Sequence, residues 1–100
     1  MRDFLIRIEL RDLDPGSSGE VYNQLHEVMG GIGFFNFIER DDGFLVKLPD
    51  AEYIGLSDKT GLELRDQVVE LVEDVHFPFG MLVVPYDNFH YWQLLAVPNH

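Results

Sequence analysis

The segment Gly16–Phe34, GSSGEVYNQLHEVMGGIGF, decides the fold because it predicts one amphipathic helix with a start signal and a stop signal. Ser17 and Glu20 have the spacing of a capping box, in which the two side chains accept hydrogen bonds from N–H groups of the first turn. Gly30 and Gly31 predict the left-handed turn that ends the helix. Between these signals runs an apolar stripe at helical spacing, formed by Val21, Leu25, Val28, Met29 and Ile32.

Strand patterns lie on both sides of this helix. Phe4–Leu10 alternates, with Phe4, Ile6, Ile8 and Leu10 on one face. Phe34–Glu39 and Phe44–Leu48 predict two further strands, joined at the hairpin signal Asp41-Asp42-Gly43. In the third strand we expect Phe44, Val46 and Leu48 on one face and Leu45 and Lys47 on the other.

The second half of the chain repeats the order of the first half. We interpret residues 50–59 as a loop. Thr60 and Glu63 again match a capping box and begin a second helix, whose stripe is Leu64, Val68, Leu71, Val72 and Val75. Met81–Val84 predicts the fourth strand, and Phe89–Val97 predicts a fifth strand or an arm that covers a sheet edge.

The element order is therefore β-α-β-β-α-β with a C-terminal addition. Two helices with similar apolar stripes both need a sheet to pack against, and crossover connections are right-handed. The order predicts an α+β, ferredoxin-like βαββαβ fold with two helices on one face of a four-stranded antiparallel sheet. A chain of 100 residues is long enough for one core, so we expect a single ferredoxin-like domain over residues 1–100.

The predicted fold leaves the second face of the sheet without helices. That face would carry Leu5, Arg7, Glu9, Leu45 and Lys47, together with either Phe35 and Phe37 or Phe34 and Ile38. Such an apolar surface is expected to be covered by the C-terminal segment or by a second copy, and we expect a homodimer through this face or a sheet edge. An RNA-recognition sheet also exposes aromatic residues, but its sequence motif is absent.

The composition excludes several classes of protein. The chain has no cysteine, which excludes disulfides and thiolate metal sites and favours a cytoplasmic location. It has neither a signal-peptide pattern nor an apolar run long enough to span a membrane, so no membrane partner is expected. The net charge of -11 opposes non-specific binding to nucleic acid and favours a basic protein as a partner.

Candidate catalytic groups are few. Common hydrolase and nucleotide-binding motifs are absent, and the four histidines lack the spacing of metal ligands, so we expect no cofactor and no bound metal. Glu9, Asp12 and Asp14 could hold a magnesium ion, although solvated acidic residues are the more common explanation. His26 lies four residues after Tyr22 on the flank of the first helix, and an imidazole there suits acid–base chemistry.

Several stretches together resemble one known family. They are the run Val21–Met29 (VYNQLHEVM), the following Ile32-Gly33-Phe34, and the tail Val83–Tyr91 (VVPYDNFHY). Together with a first strand that contains Glu9 and a Pro-Gly-Ser-Ser connection, they resemble the GhoS antitoxin family over about half of the chain. That family is similar in fold to the small ferredoxin-like nuclease of CRISPR spacer acquisition, and its founding member is described as a sequence-specific endoribonuclease that cleaves the messenger RNA of its partner toxin.

The resemblance implies an RNA substrate and a set of site residues. The family's functional arginine on the first helix falls at His26, a second helix arginine falls at Gln24, and the acidic residue that closes the first strand falls at Glu9. On this basis we expect His26 to act as acid or base, Glu9 to orient it or to bind a metal ion, and Arg7 or Arg11 to lie near the phosphate. The residues expected to bind nucleic acid are Arg7, Arg11, Lys47, Gln24 and Tyr22.

Three hypotheses about function follow from these observations. The first is a GhoS-like antitoxin that cleaves RNA. The second is a non-catalytic module or inhibitor that binds a basic protein through its open sheet face and acidic surface. The third is a ligand-sensing domain of the ferredoxin-like type, which is the weakest because such domains are usually fused to an enzyme.

Overall fold

The computed structural model describes residues 1–39, 42–49 and 51–86 of the chain. The strands are Arg2–Leu10 (β1), Phe37–Glu39 (β2), Leu45–Lys47 (β3), Glu52–Ser57 (β4) and Phe79–Pro85 (β5). The helices are Ser18–Gly31 (α1) and Gly61–Val75 (α2). The predicted α+β class is confirmed, whereas the predicted strand or arm at Phe89–Val97 lies outside the described residues.

The strands form a three-stranded antiparallel sheet and a two-stranded hairpin. The sheet has the order β4-β1-β5, and β2 pairs with β3. One antiparallel bridge connects the hairpin to the edge of β4, through the reciprocal backbone hydrogen bonds of Phe35 and Ile54 at 2.9 and 2.8 Å. The described residues therefore contain five strands in two groups instead of the predicted single sheet of four.

The prediction of a loop over residues 50–59 was wrong, because this segment contains β4. Tyr53 and Ser57 are buried on one face, while Leu56 is exposed on the other, so the segment has the alternation of a strand. Gly55 interrupts the apolar pattern and made the segment resemble a loop. In the structure Gly55 pairs with Phe4 of β1, and the turn that contains Gly33 and Phe34 packs directly against it.

The core lies between the three-stranded sheet and the two helices. The alternation predicted for the first strand is confirmed, since the residues of β1 that face the helices are almost completely buried. The cluster consists of Phe4, Ile6, Ile8, Leu10, Leu25, Met29, Phe34, Tyr53, Leu64, Val68 and Val72. Both helices therefore pack on the same face of the sheet, and their apolar stripes provide the burial that stabilises them.

The opposite face of the three-stranded sheet is open over the described residues. Its side chains come from β1, β4 and β5 in register, and they are Asp3, Leu5, Arg7, Glu9, Glu52, Ile54, Leu56, Leu82 and Val84. Phe35 pairs with Ile54 and is 43% exposed, whereas Phe34 is buried in the core at 1%. Of the two alternatives for the second strand, the set with Phe35 and Phe37 is therefore the outward one.

The third strand differs from its prediction in one side chain. Phe44 was expected on the inner face but is 53% exposed, because β3 begins only at Leu45. Lys47 pairs with Phe37 and alternates with the buried Val46 and Leu48, and it also lines a cleft together with Tyr22 and His26 of α1.

The two helices differ in how their first turns are capped. The capping box at Thr60 is confirmed, since Thr60 Oγ1 accepts from the Glu63 N–H at 3.1 Å and Glu63 accepts from the Thr60 N–H at 3.0 Å. The box predicted for Ser17 and Glu20 was wrong, because Ser17 makes no side-chain capping bond and its hydroxyl is directed at the Asp14 carbonyl. The left-handed residue after α1 is Gly33, with φ of 83°, and neither Gly30 nor Gly31.

This difference gives a prediction for two matched substitutions. Thr60→Ala is expected to lower the free energy of unfolding by about 1 kcal/mol, because the N–H of Glu63 loses its acceptor. Ser17→Ala is expected to change it by less than about 0.5 kcal/mol, because no cap is lost. Urea denaturation of both variants measures the two values. Equal losses would show that the two helix starts are capped alike.

Candidate functional site

A cleft of about 310 Å³ lies beside the first half of α1. It is lined by Gly19, Tyr22, Asn23 and His26 from one face of α1, by Lys47 of β3 and by Ala51. The helical positions share a face because they are three or four residues apart. The hairpin brings Lys47 to the same cleft, so its lining includes a lysine, a histidine and a tyrosine.

A buried tyrosine holds the imidazole of His26 in place. His26 Nδ1 lies 2.7 Å from the hydroxyl oxygen of Tyr53, and the two ring centroids are 5.6 Å apart. Tyr53 is 0% exposed and pairs with Ile6 in the sheet, so its hydroxyl has a fixed position behind His26. The ring centroid of Tyr22 lies 6.4 Å from that of His26 on the outer side.

The contact between His26 and Tyr53 also indicates which ring nitrogen of the neutral imidazole carries the hydrogen. Burial, and secondarily the nearby Tyr22, raises the pKa of Tyr53, which keeps its hydroxyl protonated. A buried hydroxyl needs an acceptor, and we therefore assign the Tyr53 hydroxyl as donor and His26 Nδ1 as acceptor. In the neutral imidazole Nε2 then carries the hydrogen. This tautomer gives His26 a donor at Nε2, which suits hydrogen bonding to an anionic oxygen better than removing a proton.

The raised pKa of Tyr53 makes the stability of the protein fall in alkaline solution. In the unfolded chain this phenol ionises near pH 10, whereas in the folded chain it stays neutral to higher pH. The stabilisation is fully present below about pH 10 and is lost as the pH rises from there through the folded-state pKa. The free energy of unfolding is expected to lose up to about 1.4 kcal/mol per pH unit from this group.

Urea denaturation between pH 8 and pH 11 tests this expectation, with Tyr53→Phe as the comparison. The variant has no phenol to ionise at this position, so its stability is expected to fall less steeply above pH 10. Tyr86, whose pKa is also raised by burial, contributes equally to both proteins. Parallel curves for the two proteins would contradict the assignment.

The other predicted site residues lie on the opposite side of the sheet. Arg7 and Glu9 project from the open face of β1, next to Arg11 in a shallow depression that also contains Leu82. Arg7 lies 3.7 Å from Glu52, and Arg11 lies 3.4 Å from Glu9. His26 bonds to Tyr53 on the helix side, so the sheet separates the predicted pair Arg7 and Glu9 from the imidazole.

The structure thus groups the expected residues into two sets. His26, Tyr22 and Lys47 come together in the cleft, whereas Arg7, Glu9 and Arg11 form a separate surface. Gln24 is exposed on α1 and does not line the cleft. Among the described residues no group of three or more histidines and carboxylates is arranged to hold a metal ion, and Glu9, Asp12 and Asp14 form no such group.

Sequence reasoning missed Tyr53, the residue that orients His26. Its segment was interpreted as a loop, and a loop tyrosine carries no expectation of burial. The available signal was the spacing of Tyr53, Gly55 and Ser57, which are small or amphipathic residues on the inner side of a strand. Asn23 and Ala51 were missed for a simpler reason, because neither residue type indicates chemistry by itself.

Comparison with known proteins adds no assignment. No protein-family model matches this chain, and no curated protein sequence matches it. Within residues 1–39, 42–49 and 51–86, neither helix is long and apolar enough to cross a membrane.

Proposed function

We propose that this protein is a GhoS-like antitoxin that cleaves RNA in the cleft beside α1. The observation that carries the proposal is the contact of 2.7 Å between His26 and the buried Tyr53, which fixes an imidazole next to Lys47 and Tyr22. Three of the expected site residues therefore line one concave site. Concave sites with a few convergent polar groups are where ligands usually bind.

The proposed fold relationship is ferredoxin-like with one added edge strand. The relationship is supported by the order β5-β1-β4, which the bridge from Ile54 to Phe35 extends toward β2. In this interpretation β4 takes the place expected for Phe44–Leu48, and β3 is an addition at the outer edge of β2. The position of both helices on one face supports the same arrangement.

The proposed reaction is transfer of the phosphoryl group within the RNA strand. The 2′-oxygen attacks the adjacent phosphorus and its proton passes to solvent, while the bond from phosphorus to the 5′-oxygen breaks. Protonated His26 donates its Nε2 proton to the departing 5′-oxygen, and Tyr53 Oη accepts from Nδ1–H in that state. The ammonium group of Lys47 stabilises the charge on the phosphoryl oxygens, and Tyr22 offers a ring for base stacking.

The resemblance allows His26 to act as an acid or as a base, and the contact with Tyr53 favours one of these two roles. A base must present a lone pair, and the Tyr53 contact occupies the lone pair of Nδ1 while it places hydrogen on Nε2. His26 therefore serves as the acid. The net charge of -11 repels RNA at long range, so we expect weak binding and cleavage that depends on the few groups in the cleft.

A cleavage assay in the presence of EDTA tests the function. Purified protein is expected to cut single-stranded RNA without a divalent metal and to leave a 2′,3′-cyclic phosphate on the upstream product. An RNA with a single 2′-deoxy nucleotide at the cut site is the matched substrate control and should remain intact there, because the attacking oxygen is missing. Absence of cleavage, or products with a 5′-phosphate that require metal, would contradict the proposal.

A second candidate is a non-catalytic acidic module that binds a basic protein. It is favoured by the outer face of α2, where Glu63, Asp66, Glu70, Glu73 and Asp74 are all exposed at helical spacing. Such a stripe would attract a basic partner through long-range electrostatics. This module would cleave no RNA and would retain a basic partner in a pull-down that high salt disrupts.

A further inference from the structure

The open face of the three-stranded sheet has the composition of an interface. Its large apolar side chains include Leu82 at 59%, Leu56 at 52% and Val84 at 36% exposure, with Leu5 and Ile54 between them. A depression of about 620 Å³ lies at one end of this face, where Phe35, Phe37 and Tyr86 contribute to its lining. A contiguous apolar surface of this kind on a small protein usually marks an interaction site.

The charges along β1 indicate what covers this face. The outward residues of the strand alternate as Asp3, Leu5, Arg7 and Glu9, so a negative charge precedes the apolar centre and a positive charge follows it. The charge therefore changes sign about Leu5, with Asp3 on one side and Arg7 at the same distance on the other. When a second β1 strand is laid across this face in the opposite direction, Asp3 of each strand meets Arg7 of the other.

We propose that a second copy of this chain covers the open face as a two-fold symmetric dimer. The two β1 strands run antiparallel, with Leu5 above Leu5 of the second copy and two Asp3–Arg7 pairs beside it. In the same register Val84 of one copy meets Val84 of the other, because Val84 is the partner of Leu5 in the sheet. Leu82 pairs with Arg7, so it meets Tyr86 of the second copy at the rim of the depression.

The other symmetric orientation is excluded by the same charges. Parallel β1 strands would place Asp3 against Asp3 and Arg7 against Arg7, and like charges across an interface cost several kcal/mol. Two-fold dimers are isologous, which means that one self-complementary patch is sufficient. The proposal is independent of RNA cleavage, because the cleft and the open face lie on opposite sides of the sheet.

Sedimentation equilibrium with matched apolar variants tests the proposal first. The wild-type chain is expected to be a dimer at micromolar concentration. Leu82→Asp should raise the dimer Kd at least about 100-fold, since it buries an unpaired charge in the interface. Leu62→Asp is the matched control, because Leu62 is 61% exposed on α2 and lies away from the open face. A monomeric wild-type chain at millimolar concentration, or equal effects of both variants, would overturn the proposal.

Exchange of the two charges then tests the orientation. Asp3→Arg alone and Arg7→Asp alone each place like charges together and should raise the dimer Kd about 100-fold. The double variant with both changes restores opposite charges across the two-fold axis and should recover a Kd within about tenfold of wild type. Circular dichroism confirms folding of each variant, because Arg7 also faces Glu52. A double variant weaker than both single variants would overturn the antiparallel register.

Discussion

Gly55→Ala is expected to lower the free energy of unfolding by about 3 kcal/mol, the largest stability loss predicted here for one added methyl group. A Cβ atom at Gly55 would lie 2.9 Å from Cγ of Phe34 and would overlap the carbonyl oxygen of Gly33. Neither group can move cheaply, because Phe34 is 1% exposed in the core and Gly33 holds a φ of 83°. Relief of the clash would have to separate the turn after α1 from β4.

Thermal unfolding measures this effect, and Gly16→Ala provides the control. A loss of about 3 kcal/mol should lower the Tm by roughly 12–24 °C in a domain of this size. A Cβ atom at Gly16 meets nothing within 4 Å, so that variant should keep the stability of wild type within about 0.5 kcal/mol. A Gly55→Ala protein as stable as Gly16→Ala would show that the turn does not pack on β4 as described.

His26→Ala is expected to reduce RNA cleavage by a factor on the order of 10²–10⁴, the range that a positioned acid contributes. The imidazole is the group in the cleft whose Nε2 proton is assigned by a contact with buried Tyr53. The same substitution leaves the Tyr53 hydroxyl without this acceptor and should cost about 1–3 kcal/mol of stability. Initial cleavage rates at saturating RNA measure the catalytic effect, and urea denaturation measures the structural one.

Two further variants separate chemistry from folding. His26→Asn keeps an acceptor oxygen near the position of Nδ1, but its amide is not acidic enough to transfer a proton to the leaving oxygen, so it should be as inactive as His26→Ala and more stable. Tyr53→Phe keeps the imidazole and removes the hydroxyl that orients it. It should retain partial activity, about tenfold below wild type, because the acid is present but less well positioned. Full activity of His26→Asn would show that His26 has only a structural role.

Much of the fold could be predicted because periodicity reports burial directly. The alternation of Phe4, Ile6, Ile8 and Leu10 and the stripes of the two helices all correspond to buried faces. The strand over residues 52–57 was missed, since Gly55 at its centre interrupts the apolar pattern and is required by a contact with Gly33 and Phe34 that is distant in sequence. Because β4 lies beside β1, the hairpin of β2 and β3 is not part of the three-stranded sheet, although both of its strands were predicted to belong to the main sheet.

The site was predictable only in part, for a related physical reason. Helical spacing placed Tyr22 and His26 on one flank, and the structure keeps them there. Lys47 also lines the cleft, which the alternation of its strand did not predict. The alternation of β1 was enough to place Arg7 and Glu9 on its outward face. The side of the sheet on which His26 lies could not be predicted, because it depends on the contact with Tyr53.

The most direct test of the central claim compares RNA cleavage by His26→Ala with cleavage by Glu9→Gln. The two residues lie on opposite sides of the sheet, so the comparison decides which surface carries the chemistry. Glu9→Gln preserves the shape of the side chain and removes its charge. The cleft site predicts that Glu9→Gln retains the wild-type rate within about twofold while His26→Ala loses at least about 100-fold. A loss in Glu9→Gln with full activity in His26→Ala would contradict it.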